Sequence, residues 1–293
     1  MGFFHLFYIF PVFIFCSYSE IYIDSLKINY FETENRDTVL ICLHGFGSYS
    51  YSFEKISEYL KNDFQIFAYD RPGFGFSDRN EITKNKNPYS YEYQLELLEK
   101  LIEKKGYKNR NIFLVGNSQG GYISLLYALK HRGNVKGVIL INSAITSKDV
   151  SPPLKFFLKL PFVKSFMIKK IRNTFIDQGE KILEKAFYDK GKLTKEILDN
   201  YKKPTKIEGW ERSLYYMTIS SKNILNKNNL RNLDIPVLII SSTNDSIIPQ
   251  KVSFELKNYI KGSTIEIIDC CGHIPQEECP EQTAKIILKF LGR

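Results

Sequence analysis

One serine stands at the centre of a tight turn bracketed by glycines. Gly116-Asn117-Ser118-Gln119-Gly120 follows an apolar run at residues 111–115 and precedes a helix-like stretch. A glycine two positions to either side lets the backbone turn sharply and present the hydroxyl above the strand end. The hydroxyl then lies beside the N-terminus of the next helix, whose partial positive charge favours an oxyanion. An ordinary strand-to-helix glycine turn would also explain the glycines, so the remaining chemistry has to come from elsewhere in the chain. A serine hydroxyl is a poor nucleophile at neutral pH and demands a base. The chain holds four histidines, His5, His44, His131 and His273. His5 sits in an apolar leader, His131 closes the helix after Ser118, and His44 precedes the serine in "HGFG". His273 stands in "DCCGHIPQEECP", a loop after the last strand-like run, where a flexible base is expected. Asp245, in "SSTNDSIIP" just past the preceding strand, meets the demand for an orienting carboxylate. Asp70, in "YDRPGFGFSD", precedes the serine and reads better as loop structure. Asp269 is close to His273 in sequence but points with its own strand end.

Positioning such groups takes a rigid frame, and the chain supplies the pattern for one. "KINYFETE" alternates as a strand does. "DTVLICLHGFG" is a continuous apolar run ending in glycines, as in a strand buried on both faces. Helical spacing follows in "YSFEKISEYLKN", a strand in "FQIFAYD", a helix in "SYEYQLELLEKLIEKKG" with Gly106 as its stop, then "NIFLVG", "QGGYISLLYALKH" and "VKGVILINS". This alternation predicts an α/β fold with a mostly parallel central sheet and helices on both faces. Residues 146–230 are helical, basic and aromatic, without a strong strand run. "DIPVLIISSTND", "QKVSFELKNYI", "STIEIID" and "PEQTAKIILKFL" then restore the alternation. The expected organisation is an apolar N-terminal segment at residues 1–19, a core at 20–145, a helical insertion at 146–230 and the rest of the core at 231–293.

Five stretches in this order, "LHGFGSYSYSFEKI", "YDRPGFGFSD", "GNSQGG", "NDSIIP" and "GHIPQEECPE", resemble the α/β-hydrolase fold superfamily, in its branch with a helical cap. The likeness covers nearly the whole chain after residue 25, and five ordered motifs are far more specific than one serine turn. The order Ser118, Asp245, His273 is the family's triad order. The resemblance implies an oxyanion hole made by the backbone N–H groups of Phe46 and Gln119, with His44 and Gly45 supporting that loop. It implies no metal and no organic cofactor. The insertion becomes a cap over the pocket. In it, "PPLKFFLKLPFVKSFMIKKIRNTF" reads either as a lid with a basic, membrane-facing rim or as amphipathic helices whose lysines are solvated surface. Trp210, Tyr215 and Tyr216 either line the pocket or pack as aromatic core.

The expected reaction is hydrolysis of a carboxylic ester through an acyl-enzyme, on a small, apolar substrate. Ser118 attacks, His273 moves the proton, Asp245 orients the imidazole and two N–H groups hold the oxyanion. The rate is expected to rise as a histidine base loses its proton, near the ordinary imidazole value of roughly 6.5. Epoxide hydrolases and dehalogenases place aspartate where Ser118 stands. Carbon–carbon hydrolases keep the serine but commonly follow the catalytic histidine with Trp, where Ile274 stands here. Proline iminopeptidases carry "GGSWG", unlike Asn117 and Gln119. Carbon–carbon bond hydrolysis, cofactor-free peroxidase chemistry and a receptor-like protein without turnover remain open alternatives. "GFGFSD" does not match the dinucleotide fingerprint.

Composition bounds the rest. The 293 residues are 43% hydrophobic and 25% charged, enough for a large globular core. The net charge of +9 could attract anionic partners, but Lys, Ile, Asn, Phe and Tyr are abundant throughout. No nucleic-acid-binding signature accompanies the charge, so no nucleic-acid partner is expected. The five cysteines fit neither a disulfide framework nor a zinc pattern, and Cys42 fits a small core residue. Residues 2–16 are almost wholly apolar but lack a preceding cation. They suit either a cleaved export signal, with small residues for cleavage at 17–19, or a retained membrane anchor, and a cytoplasmic protein follows if they are structural instead. The sequon Asn244-Asp245-Ser246 falls inside the proposed site, where a glycan would be harmful.

Overall fold

Strands whose side chains alternate between two apolar layers build the frame. In β5 (Asn111–Asn117), Ile112 and Leu114 enter one core while Phe113 and Val115 face the other. The same split holds in β3 (Thr38–Leu43), with Val39 and Ile41 against Leu40 and Cys42, and in β7 (Val237–Ser242). A strand covered on both faces must be apolar at every position, which is why these runs are continuous. Each fully buried aliphatic side chain contributes roughly 1.5–3 kcal/mol, so the central strands anchor whatever loops leave their ends. A computed structural model describes residues 17–131, 133, 135–147 and 149–293. The apolar leader, with its signal or anchor reading, His5 and Cys16, lies outside them.

Among the described residues the strands form one eight-stranded sheet in the order β1-β2-β4-β3-β5-β6-β7-β8. The others are β1 (Tyr18–Ile23), β2 (Leu26–Glu32), β4 (Gln65–Tyr69), β6 (Gly137–Ile141) and β8 (Thr264–Ile268). Strands β4, β3, β5, β6, β7 and β8 run parallel, and β1 and β2 form an antiparallel edge. The order reverses beside β3, because β4 lies on one side of it and β5 on the other. Loops leaving β3 and β5 therefore diverge and open a crevice at the carboxyl ends of the strands.

Helices α1 (Glu54–Leu60), α2 (Tyr91–Lys104) and α3 (Gln119–Lys130) belong to the first half of the core. Ser90 caps α2 by accepting from the Tyr93 N–H at 3.2 Å, and Gly106 (φ +71°) follows its end. Between β6 and β7 come α4 (Pro152–Leu158), α5 (Pro161–Glu184), α6 (Lys195–Lys202) and α7 (Trp210–Ser220), with no strand among the described residues. Helices α8 (Lys251–Tyr259), α9 (Pro275–Glu278) and α10 (Pro280–Phe290) complete the core.

Two elements depart from the sequence expectation. Strand β1 begins at Tyr18, inside the stretch assigned to the leader, and pairs with β2 through the two-residue turn Asp24-Ser25, both at positive φ. Such turns match the twist of the strands they join. The expectation failed because four of the six β1 residues are exposed or charged edge positions with little apolar signal. The short α9 was also unanticipated; its four residues are fewer than any periodicity can reveal.

Candidate active site

Ser118 sits at the junction of β5 and α3 with φ +53° and ψ −116°, a backbone conformation that L-residues rarely adopt. Backbone bonds hold it there: its N–H donates to the Ile141 carbonyl at 3.0 Å, and its carbonyl accepts from Gly121 and Ala144 at 3.1 Å each. The flanking glycines are steric necessities. A Cβ on Gly120 would lie 1.9 Å from the Leu43 carbonyl oxygen, and one on Gly116 would lie 2.4 Å from the Gly121 nitrogen. The serine is half-buried, and its hydroxyl takes no side-chain hydrogen bond among the described residues.

The loop after β3 runs against it. A Cβ on Gly45 would stand 3.2 Å from Ser118 Cβ. The backbone N–H groups of Phe46, in this loop, and of Gln119, at the first position of α3, have no hydrogen-bond partner among the described residues. Open N–H groups at a helix start and an adjacent loop can receive a developing negative charge. His44 is fully buried. Its Nε2 accepts from the Arg71 N–H at 3.0 Å, so its Nδ1 carries the proton and donates to the Gly45 carbonyl at 2.8 Å. Burial, with the Arg71 charge added, holds its pKa well below the usual imidazole value. His44 is thus a neutral strut.

Arg71 was not singled out by sequence, yet it ties the two loops together. Its Nη2 donates to the Gly45 carbonyl and to Gln119 Oε1, both at 3.0 Å, and its Nη1 to Gln94 Oε1 at 3.0 Å. Burial lowers its pKa to about 10, leaving the guanidinium charged at neutral pH. Gln119 is pinned further by donating to Tyr91 Oη at 2.9 Å. Asp70, the neighbour of Arg71 in sequence, is fully buried and accepts from the Ser50 and Phe76 N–H groups and from Asn29 Nδ2, all at 2.8 Å. It braces the loop and is turned away from reactive work.

His273 and Asp245 come together from the loops after β8 and β7. His273 Nδ1 lies 2.7 Å from Asp245 Oδ2, with both side chains nearly buried. Asp245 Oδ1 accepts from the N–H groups of Ile247 and Ile248 at 2.8 and 2.9 Å, which fixes the carboxylate. The His273 carbonyl is held by Asn117 Nδ2 at 3.1 Å and Asn142 Nδ2 at 3.2 Å, so the residue preceding Ser118 is bonded directly to the histidine's backbone. Asn142 and Glu278 also escaped notice in the sequence. Glu278 accepts from Gly272 N–H at 2.7 Å and from Tyr188 and Asp189 N–H at 3.0 and 2.7 Å. Of the other candidates, His131 stacks on Tyr127 and pairs with Glu99, and Asp269 is exposed.

A cavity of about 350 Å³ opens onto this site, with Gly45, Phe46, Asn117 and His273 on its inner wall. Phe175, Ile176 and Leu183 of α5, with Leu198, Ile247 and Ile274, make the remainder mostly apolar. Asp177, Glu180 and Lys202 add charge. A larger cleft of about 630 Å³, near Tyr18, Lys27 and Arg79, contains none of the site residues. Chemistry and not volume therefore singles out the candidate cavity. Trp210, Tyr215 and Tyr216 pack with Phe74 and Tyr89 in a separate aromatic core and do not line the cavity.

Sheet order and serine turn together define one class of protein, and comparison of the sequence leads to the same class. The chain belongs to the alpha/beta hydrolase fold family, whose model matches residues 38–280. It is 26% identical over 271 residues to an uncharacterized hydrolase, YugF, of Bacillus subtilis, covering 92% of this chain and 96% of that one. It is 24% identical over 272 residues to monoacylglycerol lipase abhd6-A of Xenopus laevis, covering 88% of this chain and 76% of that one. Among solved structures, meta-cleavage product hydrolase CumD from Pseudomonas fluorescens matches with a TM-score of 0.72 at 21% identity, over 94% of this chain and 97% of that one, a likeness of fold.

Proposed function

We propose that the protein is a serine hydrolase that cleaves carboxylic esters with an apolar acyl or alkyl part. The observation that carries this reading is the 2.7 Å His273–Asp245 pair, whose histidine carbonyl is held by Asn117, the residue before the strained Ser118, with Asn117 and His273 on the wall of an apolar cavity. In the proposed mechanism Ser118 Oγ attacks the ester carbonyl while His273 takes its proton. Asp245 holds the imidazole so that Nε2 faces the reaction, and stabilises the imidazolium. The Phe46 and Gln119 N–H groups receive the oxyanion. His273 returns the proton to the leaving alcohol, the acyl group remains on Ser118, and a water activated by His273 releases the acid. The helices between β6 and β7 act as the cap, with α5 forming the apolar wall that receives the substrate. The lipase named among the relatives supports an ester substrate.

Hydrolysis of nitrophenyl esters of graded acyl length, wild type against Ser118→Ala, tests the reading. The expected result is a loss of about 10³-fold or more in kcat/KM, with a preference for acyl chains that fill the cavity. Equal rates in the two proteins, or no turnover in either, would contradict ester hydrolysis at Ser118.

A further inference from the structure

We propose that the outer face of α4 and α5 docks on an anionic lipid surface. Helix α4 has the sequence PPLKFFL, yet none of its residues is buried. Phe156 is 73% and Phe157 51% exposed there, and Phe162 and Phe166, one turn apart at the start of α5, are 74% and 64% exposed. The inner face of α5 is already used: Met167, Ile168, Ile171 and Phe175 pack on the aromatic core around Trp210. The exposed phenylalanines are therefore surplus to the folding of this chain. Four such rings within eleven residues form an apolar patch of the kind that marks an interaction surface.

Charge decides what covers it. Residues 150–176 contain six basic side chains and no acidic one. Lys164 is engaged by Tyr216 and Glu81, and Arg172 by Glu211. Lys155, Lys159, Lys169 and Lys170 have no ion-pair partner among the described residues. Aromatic rings that can enter the acyl boundary, beside unpaired lysines at headgroup level, match a bilayer rich in anionic lipid. A second copy docking through the same face would set these lysines against one another. The leader at residues 2–16 carries no acidic side chain to meet them. Helix α5 continues from this face to Phe175, Ile176 and Leu183 in the wall of the catalytic cavity. The ten steps from Phe166 to Ile176 rise about 15 Å along the helix, so a docked face would set the cavity beside the membrane. The docking stands independently of the ester reading.

Co-sedimentation of the full chain with vesicles tests it, using phosphatidylcholine alone and phosphatidylcholine with phosphatidylserine, at low and high salt. The wild type is expected to bind the phosphatidylserine vesicles at least about 50-fold more tightly at low salt, and to lose that preference at high salt. Replacing Lys155, Lys159, Lys169 and Lys170 together by Glu should abolish the preference. Phe156→Ser, Phe162→Ser and Phe166→Ser together should weaken binding at least about 10-fold. Both variants should keep the wild-type circular dichroism and unfolding midpoint, because the altered side chains are not buried. Equal binding to the two vesicle types would overturn the proposal. So would unchanged binding in either variant, which would assign any membrane attachment to the leader. Self-association that the same substitutions abolish, without vesicle binding, would overturn it in favour of a second copy.

Discussion

Arg71 is the residue whose chemistry extends furthest beyond its position. One buried guanidinium holds the Gly45 carbonyl and the Gln119 amide, so it sets the spacing between the two N–H groups proposed to bind the oxyanion. A lysine keeps the charge but not the planar fork that reaches both acceptors. Arg71→Lys is therefore expected to lower kcat by roughly 10- to 100-fold, below the cost of deleting an oxyanion donor outright, with little change in KM. Steady-state kinetics on a nitrophenyl ester checks this split; a raised KM at unchanged kcat would contradict it. His44 is the companion case. The resemblance implies a supporting role in the loop for it and leaves the base to His273, and its buried, neutral ring accepts the Arg71 N–H. At this scale the residues with a local signature were legible: a serine between required glycines, and a histidine and an aspartate just past strand ends. Arg71, Asn142 and Glu278 were not. Arg71 meets Gln119 48 positions on and Asn142 meets the His273 carbonyl 131 positions on, and no spacing in the chain announces such pairs.

At the scale of elements, Glu278 is the joint between the helical insertion and the histidine loop. Its carboxylate gathers N–H groups from Tyr188 and Asp189 on one side and Gly272 on the other, and the His273 N–H donates to the Ala186 carbonyl at 2.7 Å. An amide in its place turns one acceptor into a donor facing a backbone N–H. Glu278→Gln should cost about 1–3 kcal/mol of stability, the penalty of an unpaired buried polar group, and should slow turnover by loosening His273. Urea unfolding and kcat measured on the same preparation test both parts; a stable variant with wild-type kcat would contradict the joint. The parallel strands and long helices were legible because their apolar periods are uninterrupted. Strand β1 and helix α9 were not, since an edge strand need not be apolar and a single turn has no period. The aromatic run around Trp210 was ambiguous for a related reason: a core and a pocket wall call for the same side chains, and only the fold separates them.

For the whole molecule, buried ionisable groups make stability depend on pH in a calculable direction. Burial raises the pKa of Glu277 above the ordinary carboxylate value, against hydrogen bonds from Ser52 and Tyr201 that lower it. The folded chain then holds this proton more tightly than the unfolded chain. Stability falls, by at most about 1.4 kcal/mol per pH unit, as pH rises from the unfolded value of roughly 4.3 to the raised folded value, and levels off above it. Glu277→Gln keeps an acceptor for Ser52 and Tyr201 while removing the titration. Its unfolding midpoint relative to wild type should rise across that window and then stay constant; a difference that falls with pH would contradict the assignment. The sheet delivers Ser118, Asp245 and His273 to one end because all three follow parallel strands, so the fold class and the gathering of the site are one geometric fact. The most direct measurement is mass spectrometry of the full chain after reaction with a fluorophosphonate ester, which captures a serine activated by a neighbouring base. A single adduct on Ser118 that is lost in His273→Ala is the predicted result. An adduct on another residue, or an unmodified Ser118 in the folded wild type, would contradict the proposed nucleophile.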